Sequence, residues 1–135
     1  MRQKSLNSHS KNSIKTHPMY DVGRSAGVDF YKHFIKGMKN SEKRVENIVD
    51  LLNLTDYGKY QIKSNSSNSI VITVKKSPLM KICSRKTNGS HHWMCHWMSG
   101  LLSGIFSRSN EEWVFEMTEC IKYNKTHCEF IGRIV

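Results

Sequence analysis

The chain has 135 residues, with 21 lysines and arginines against 11 acidic residues and a formal net charge of +10. That length suits one domain with one modest core, and 24% charged with 38% hydrophobic residues is an ordinary globular balance apart from its sign. No run approaches the roughly 20 apolar residues of a membrane span, and the polar first 17 residues lack the apolar centre of a signal peptide.

The expectation is a cytoplasmic protein whose cysteines stay reduced. A basic surface favours anionic partners. No arginine-rich run, helix-turn-helix signature or aromatic motif of an RNA-binding sheet accompanies the charge, so nucleic acid remains a partner class that is not favoured.

Residues 1–17 (MRQKSLNSHSKNSIKTH) are rich in Ser, Asn and Lys, with Arg2, Lys4, Lys11 and Lys15 and no acid. They read as a disordered basic tail, and residues 18–135 as the folded domain. Order is expected from Pro18. From Tyr20 the pattern is helical: Val22, Ala26, Phe30 and Phe34 recur every four residues. Gly23 and Gly27 share a face that another backbone can approach, and Gly37 and Asn40 end the helix. Ser41 is placed to cap a second helix with Val45, Ile48, Val49 and Leu52 on one stripe.

Tyr60–Lys63, a Ser/Asn turn and Ile70–Val74 read as a hairpin of β-branched residues. Ser77-Pro78 breaks it. Residues 91–106, HHWMCHWMSGLLSGIF, form a third helix in which Trp93, Trp97, Gly100, Leu101 and Gly104 share a broad face. Such a face is either core or the wall of an apolar ligand cavity, and periodicity leaves both open. His92 and His96, like His91 and Cys95, are four apart and can share a metal. Trp113–Cys120 and His127–Ile131 form a second hairpin around Asn124-Lys125-Thr126. The order helix, helix, hairpin, helix, hairpin is that of an α+β domain with antiparallel pairing.

The cysteines are spaced C-x11-C-x24-C-x7-C (Cys83, Cys95, Cys120, Cys128), with no C-x-x-C. The segment Cys95-x4-Gly100-x3-Gly104, then a strand and Cys120-x7-Cys128-Glu129-Phe130, resembles the C-terminal core of the 4-vinyl reductase domain family. Tyr20-x2-Gly23-Arg24-x2-Gly27 resembles the family's opening helix, and Leu51-Leu52 through Gly58 with Ser77-Pro78 its middle. The likeness runs from about Tyr20 to Ile131.

The resemblance implies a small-molecule-binding domain with helices packed on an antiparallel sheet. It is the fold of vesicle-tethering (TRAPP) subunits, related to haem-based nitric oxide sensors. Members include sensor domains of phenol- and hydrocarbon-responsive transcription activators and stand-alone archaeal proteins, and the fold commonly forms homodimers. In aromatic-sensing members a zinc is held by the helix cysteine, an acid three residues before the first hairpin cysteine, and both hairpin cysteines. Cys95, Cys120 and Cys128 match. The acid position holds Met117, and Glu116 is one residue off, on the wrong side of a regular strand unless a bulge turns it inward. Cys83, His96, His127 or a water are the other fourth-ligand candidates.

The implied pocket holds an apolar or aromatic ligand between helices and sheet. Its candidates are Trp93, Trp97, Phe30, Phe34 and Phe115, with His91 or His92 as polar handle. The expected role is a regulatory sensor or carrier that works with a separate partner. A reductase needs a hydride source, and no nucleotide-binding loop is present. The alternatives are a scaffold module of the same fold with a filled pocket, or a basic nucleic-acid-associated regulator.

Overall fold

The structure is a computed structural model that describes residues 17–37, 43–55, 58–76, 93–108, 111–119 and 127–135. Helix α1 spans Pro18–Phe30. His17, grouped with the basic tail by composition, caps it: its Nδ1 accepts the Met19 amide at 3.1 Å. Pro18 stands in the first turn, where the missing N–H loses no helical bond. The helix continues directly into a π-helical stretch, Tyr31–Ile35. Helix α2 follows at Arg44–Leu52, then strands β1 (Lys59–Asn65) and β2 (Ser69–Lys75). Helix α3 spans Trp93–Phe106, followed by β3 (Trp113–Glu119) and β4 (Cys128–Ile134). This is the expected α+β order. Ser41, the expected cap of the second helix, lies outside the described residues.

The four strands form one antiparallel sheet in the order β1-β2-β4-β3. β2 is central because it is β-branched along its length, and Ile70, Ile72 and Val74 alternate onto the inner face with at most 1% exposure. The register continues that face across the sheet. Ile72 lies opposite Phe130, which lies opposite Met117, and Val74 lies opposite Cys128. Phe115 lies opposite Gly132, and its ring covers the glycine where a side chain would stand.

The first and third helices pack by their glycine faces, as the spacing of Gly23 and Gly27 leads one to expect. The four-spaced stripe of α1 is divided: Val22 is 53% exposed and Phe34 59%, whereas Ala26 and Phe30 are half-buried against the core. The buried face is Tyr20, Gly23 and Gly27. Those glycines meet Gly100 and Gly104 of α3, and the two helices run parallel in backbone contact. A methyl on Gly23 would fall on the Trp97 carbonyl, and one on Gly27 on the Leu101 carbonyl. Reciprocally, Gly100 abuts the Tyr20 carbonyl and Gly104 the Arg24 carbonyl. Only residues without a Cβ permit such an approach, and backbone C–H groups then face carbonyls across it.

Two serines tie α3 to the edge strand. Ser103 Oγ donates to the Ser99 carbonyl at 2.7 Å and accepts the Phe115 amide at 2.9 Å. One turn on, Ser107 Oγ accepts the Trp113 amide at 2.8 Å. These bonds use amides that β3, at the edge, cannot give to another strand. At the opposite edge Asn53 pairs with both backbone groups of Tyr60, donating to its carbonyl at 2.9 Å and accepting its amide at 2.6 Å. α2 is thereby fixed to the start of β1.

Gly104→Ala should destabilise the protein by about 3 kcal/mol, since the added methyl meets backbone that cannot move locally. Gly37→Ala, with open space around it, should stay within about 0.5 kcal/mol of the parent. Urea denaturation midpoints check the pair, and equal midpoints would contradict the backbone-contact reading.

Candidate ligand and metal site

The sequence-derived metal residues divide between the two faces of the sheet. Cys95 of α3 and Cys128 of β4 are both buried, at 2% and 0% exposure, and belong to one core cluster. Cys120 and Cys83 lie outside the described residues. Met117 shares the inner face with Phe130, whereas Glu116 lies opposite Ile131 and so faces the other way. The register irregularity of β3 falls between Met117 and Glu119, one residue too late to turn Glu116 inward. Glu116 therefore does not share the face of Cys128.

His127 also faces outward, flanking Cys128 together with Glu129. Its Nε2 lies 3.0 Å from Glu119 Oε1. Glu119 stands opposite Glu129 across the hairpin. Among the described residues, Glu119, His127 and Glu129 form a group whose ligand atoms all lie within 4.8 Å of one another, a spacing that could hold a metal ion. Alternation puts residues 127 and 129 on one strand face, and the register irregularity between Met117 and Glu119 sets Glu119 opposite Glu129 on that face. The sequence offers His127 as a ligand candidate, but its meeting with these carboxylates is decided by the pairing register.

Lys63 stands beside the group. Its Nζ is 2.7 Å from Glu129 Oε1, while Thr118 Oγ1 donates to Glu129 Oε2 at 2.8 Å. The Lys63 and Thr118 bonds hold the Glu129 carboxyl below its usual range, against a smaller opposing effect of burial. The same contact raises the Lys63 ammonium. An open groove of about 430 Å³ runs beside it, lined by Gln61, Ile62, Lys63, Thr73, Lys75 and His127.

The pocket candidates fall into two groups. Trp97 is half-buried against the core and Trp93 is 45% exposed, both at the start of α3. Here the imidazoles of His17 and His96 stack with centroids 3.9 Å apart. His91 and His92 lie outside the described residues. Phe30, half-buried, and Phe34, exposed, pack on each other with centroids at 5.0 Å. Because α1 and α3 are parallel and Trp97 is level with Gly23, Phe30 lies seven residues, about 10 Å, further along the axis. Phe115 is fully buried beside Phe106 and Trp113. The structure thus gathers Trp93 and Trp97 at one end and Phe30 and Phe34 toward the other.

Among the described residues no helix is long and apolar enough to cross a membrane. No protein-family model matches the chain, and no curated protein matches it. Solved structures do. A trafficking protein particle complex subunit 3 from Naegleria fowleri, covalently bound to palmitic acid, aligns at TM-score 0.71 and 14% identity, over 93% of this chain and 82% of that one. The phenol-responsive sensory domain of the transcription activator PoxR, with phenol, aligns at 0.61 and 12% identity, over 98% and 77%. A vinyl-4-reductase family protein from Methanocaldococcus jannaschii aligns at 0.60 and 16% identity, over 98% and 84%. These likenesses establish the fold, and it is the one that the cysteine and glycine pattern resembles.

The Glu129 contacts set an acid dependence. A carboxyl held low in the folded state contributes stability above its unfolded value and loses it as pH falls through the folded one. Glu129→Gln should therefore be less stable than the parent at pH 7. The difference should shrink below about pH 4, where the unfolded carboxyl protonates. Thermal melts of the two proteins across that range check it, and a difference independent of pH would contradict it.

Proposed function

We propose that this chain is a small-molecule-binding domain, a sensor or carrier for an apolar or aromatic compound, stapled by a zinc ion. The observation that carries the proposal is the shared fold. The same helices on the same kind of sheet occur in a domain solved with phenol and in a subunit bound to palmitic acid. Both ligands have an apolar body and one polar end. The start of α3 offers matching chemistry: Trp93 and Trp97 supply apolar area, and His17, His96 and the preceding His92 supply polar handles. We place the ligand at this end rather than beside Phe34. The expected output is regulatory, through a homodimer contact or a separate partner, driven by the ligand's preference for one of two states.

Zinc is assigned to Cys95, Cys120 and Cys128, since thiolates from a helix and a hairpin suit its tetrahedral, sulfur-rich preference. With Glu116 and His127 facing away, Cys83, His96 or a water completes the set. Such an ion would clamp α3 to β4, and its binding would count as folding energy. The outer group Glu119, His127 and Glu129 is the competing location.

A scaffold module of the same fold is the second reading, and dense packing favours it. Met98, Leu102, Phe106, Phe115 and Phe130 are all completely buried. In that reading the interior is filled by the chain's own side chains.

Cys128→Ser should release zinc and lower the melting temperature by roughly 10 °C, the shift that about 3 kcal/mol produces in a domain of this size. His127→Gln should leave zinc bound. Metal analysis by plasma mass spectrometry reads both, and the reverse pattern would move the ion to the outer face. Trp97→Ala should keep the fold, seen by circular dichroism, while abolishing the fluorescence response to phenol or palmitate. If the parent responds to neither probe, the scaffold reading gains.

A further inference from the structure

On the outer face of the sheet two carboxylates oppose each other. Glu119 of β3 stands directly across from Glu129 of β4, an arrangement that repels when nothing positive lies between. Regular alternation would not produce it. Met117 pairs with Phe130, so an unbroken ladder would set Thr118 against Glu129 and send Glu119 inward against Cys128. The register irregularity between Met117 and Glu119 instead turns Glu119 outward beside Glu129, and such irregularities commonly serve to re-aim a side chain. His127, two residues before Glu129, completes the group, with its Nε2 3.0 Å from Glu119 Oε1. The three ligand atoms lie within 4.8 Å of one another.

One imidazole nitrogen and two carboxylate oxygens can close on a single divalent cation from that spacing, because donors about 2.1 Å from an ion stand roughly 3 to 4 Å from each other. The group is supported and accessible. Thr118 Oγ1 donates to Glu129 Oε2 at 2.8 Å, the kind of outer hydrogen bond that orients a ligating carboxylate. Lys63 Nζ lies 2.7 Å from Glu129 Oε1, so an ammonium now supplies the positive charge there. The Lys63 side chain is 60% exposed, and an ion pair this open contributes little and is readily exchanged. His127 also lines the open groove of about 430 Å³, which gives an ion a way in and room for water on its remaining coordination positions.

We propose that Glu119, His127 and Glu129 bind one divalent cation of the oxygen-preferring kind, such as manganese(II), which displaces the Lys63 ammonium from Glu129. Carboxylate and water ligands suit manganese, whereas thiolates select zinc. The site therefore differs in metal preference from the cysteine set. It also lies on the other side of the sheet, since Cys128, between His127 and Glu129, is buried in the core. It rests on neither the apolar ligand nor the cysteine-bound zinc.

The test titrates the full chain, as purified, with manganese(II) chloride and reads the free ion by electron paramagnetic resonance. The parent should show one saturable site per chain. Glu119→Gln and His127→Gln should each weaken it about tenfold or more, at least the loss that follows removal of a group that merely supports a ligand. Neither side chain belongs to the core cluster, so both variants should keep the parent's circular dichroism. Lys63→Met should tighten binding, whereas Lys59→Met, which removes an exposed lysine of the same strand, should change it far less; both remove one positive charge, so the difference isolates the contact with Glu129. Zinc content, read in the same preparations, should be unchanged by Glu119→Gln. Absence of saturable binding in the parent overturns the proposal, as does binding that survives in both glutamine variants. Equal effects of the two lysine variants overturn the displacement of Lys63, and loss of zinc together with manganese in Glu119→Gln overturns the separation of the two sites.

Discussion

Backbone contact between α1 and α3 at Gly23, Gly27, Gly100 and Gly104 sets the position of the other elements. Each glycine rests on a carbonyl of the partner helix, so the two helices cannot slide or rotate without collision. Because α3 is fixed in this way, its next face meets the sheet at a defined height. Ser103 and Ser107 then fall opposite the amides of Phe115 and Trp113. The sheet register follows from that stitch, with Phe115 over Gly132 and Met117 opposite Phe130. Native interiors tolerate little free volume, and here helix–helix closeness supplies the density that side chains supply elsewhere.

The same geometry separates the molecule's chemistry into zones. Parallel helices put the starts of α1 and α3 together, and with them His17, His96, Trp93 and Trp97. Their far ends bring Tyr31 level with Arg108 and, through α2, near Arg44. The sheet adds a second division. Strand alternation sends Cys128 inward to the core and its neighbours His127 and Glu129 outward, where Lys63, Thr118 and Glu119 meet them. An end with tryptophans and histidines, a core that holds Cys95 and Cys128, and a charged outer face thus follow from one helix pair and one pairing register.

Much of this was legible in the sequence. The element order, the antiparallel pairing and the close-approach role of the glycine pairs all follow from local pattern. The placement of the rest of α1 did not. Val22, Ala26, Phe30 and Phe34 mark a helix by periodicity, but the glycine face takes the contact with α3, which leaves Val22 and Phe34 exposed and only Ala26 and Phe30 against the core. Glu116 needed a bulge to reach the cysteines, and β3 keeps regular alternation at that point. The Glu119–His127–Glu129 group and its neighbour Lys63 join residues far apart in the chain. No local pattern encodes such meetings; the strand register does.

The most direct test of the central claim, a zinc-stapled domain that holds a small apolar molecule, is native mass spectrometry of untagged protein purified without added metal. One zinc per chain, together with an additional small organic mass that dissociates on activation, is the expected result. A bare, metal-free chain without any added mass would contradict the account and leave a fold used for protein contacts alone.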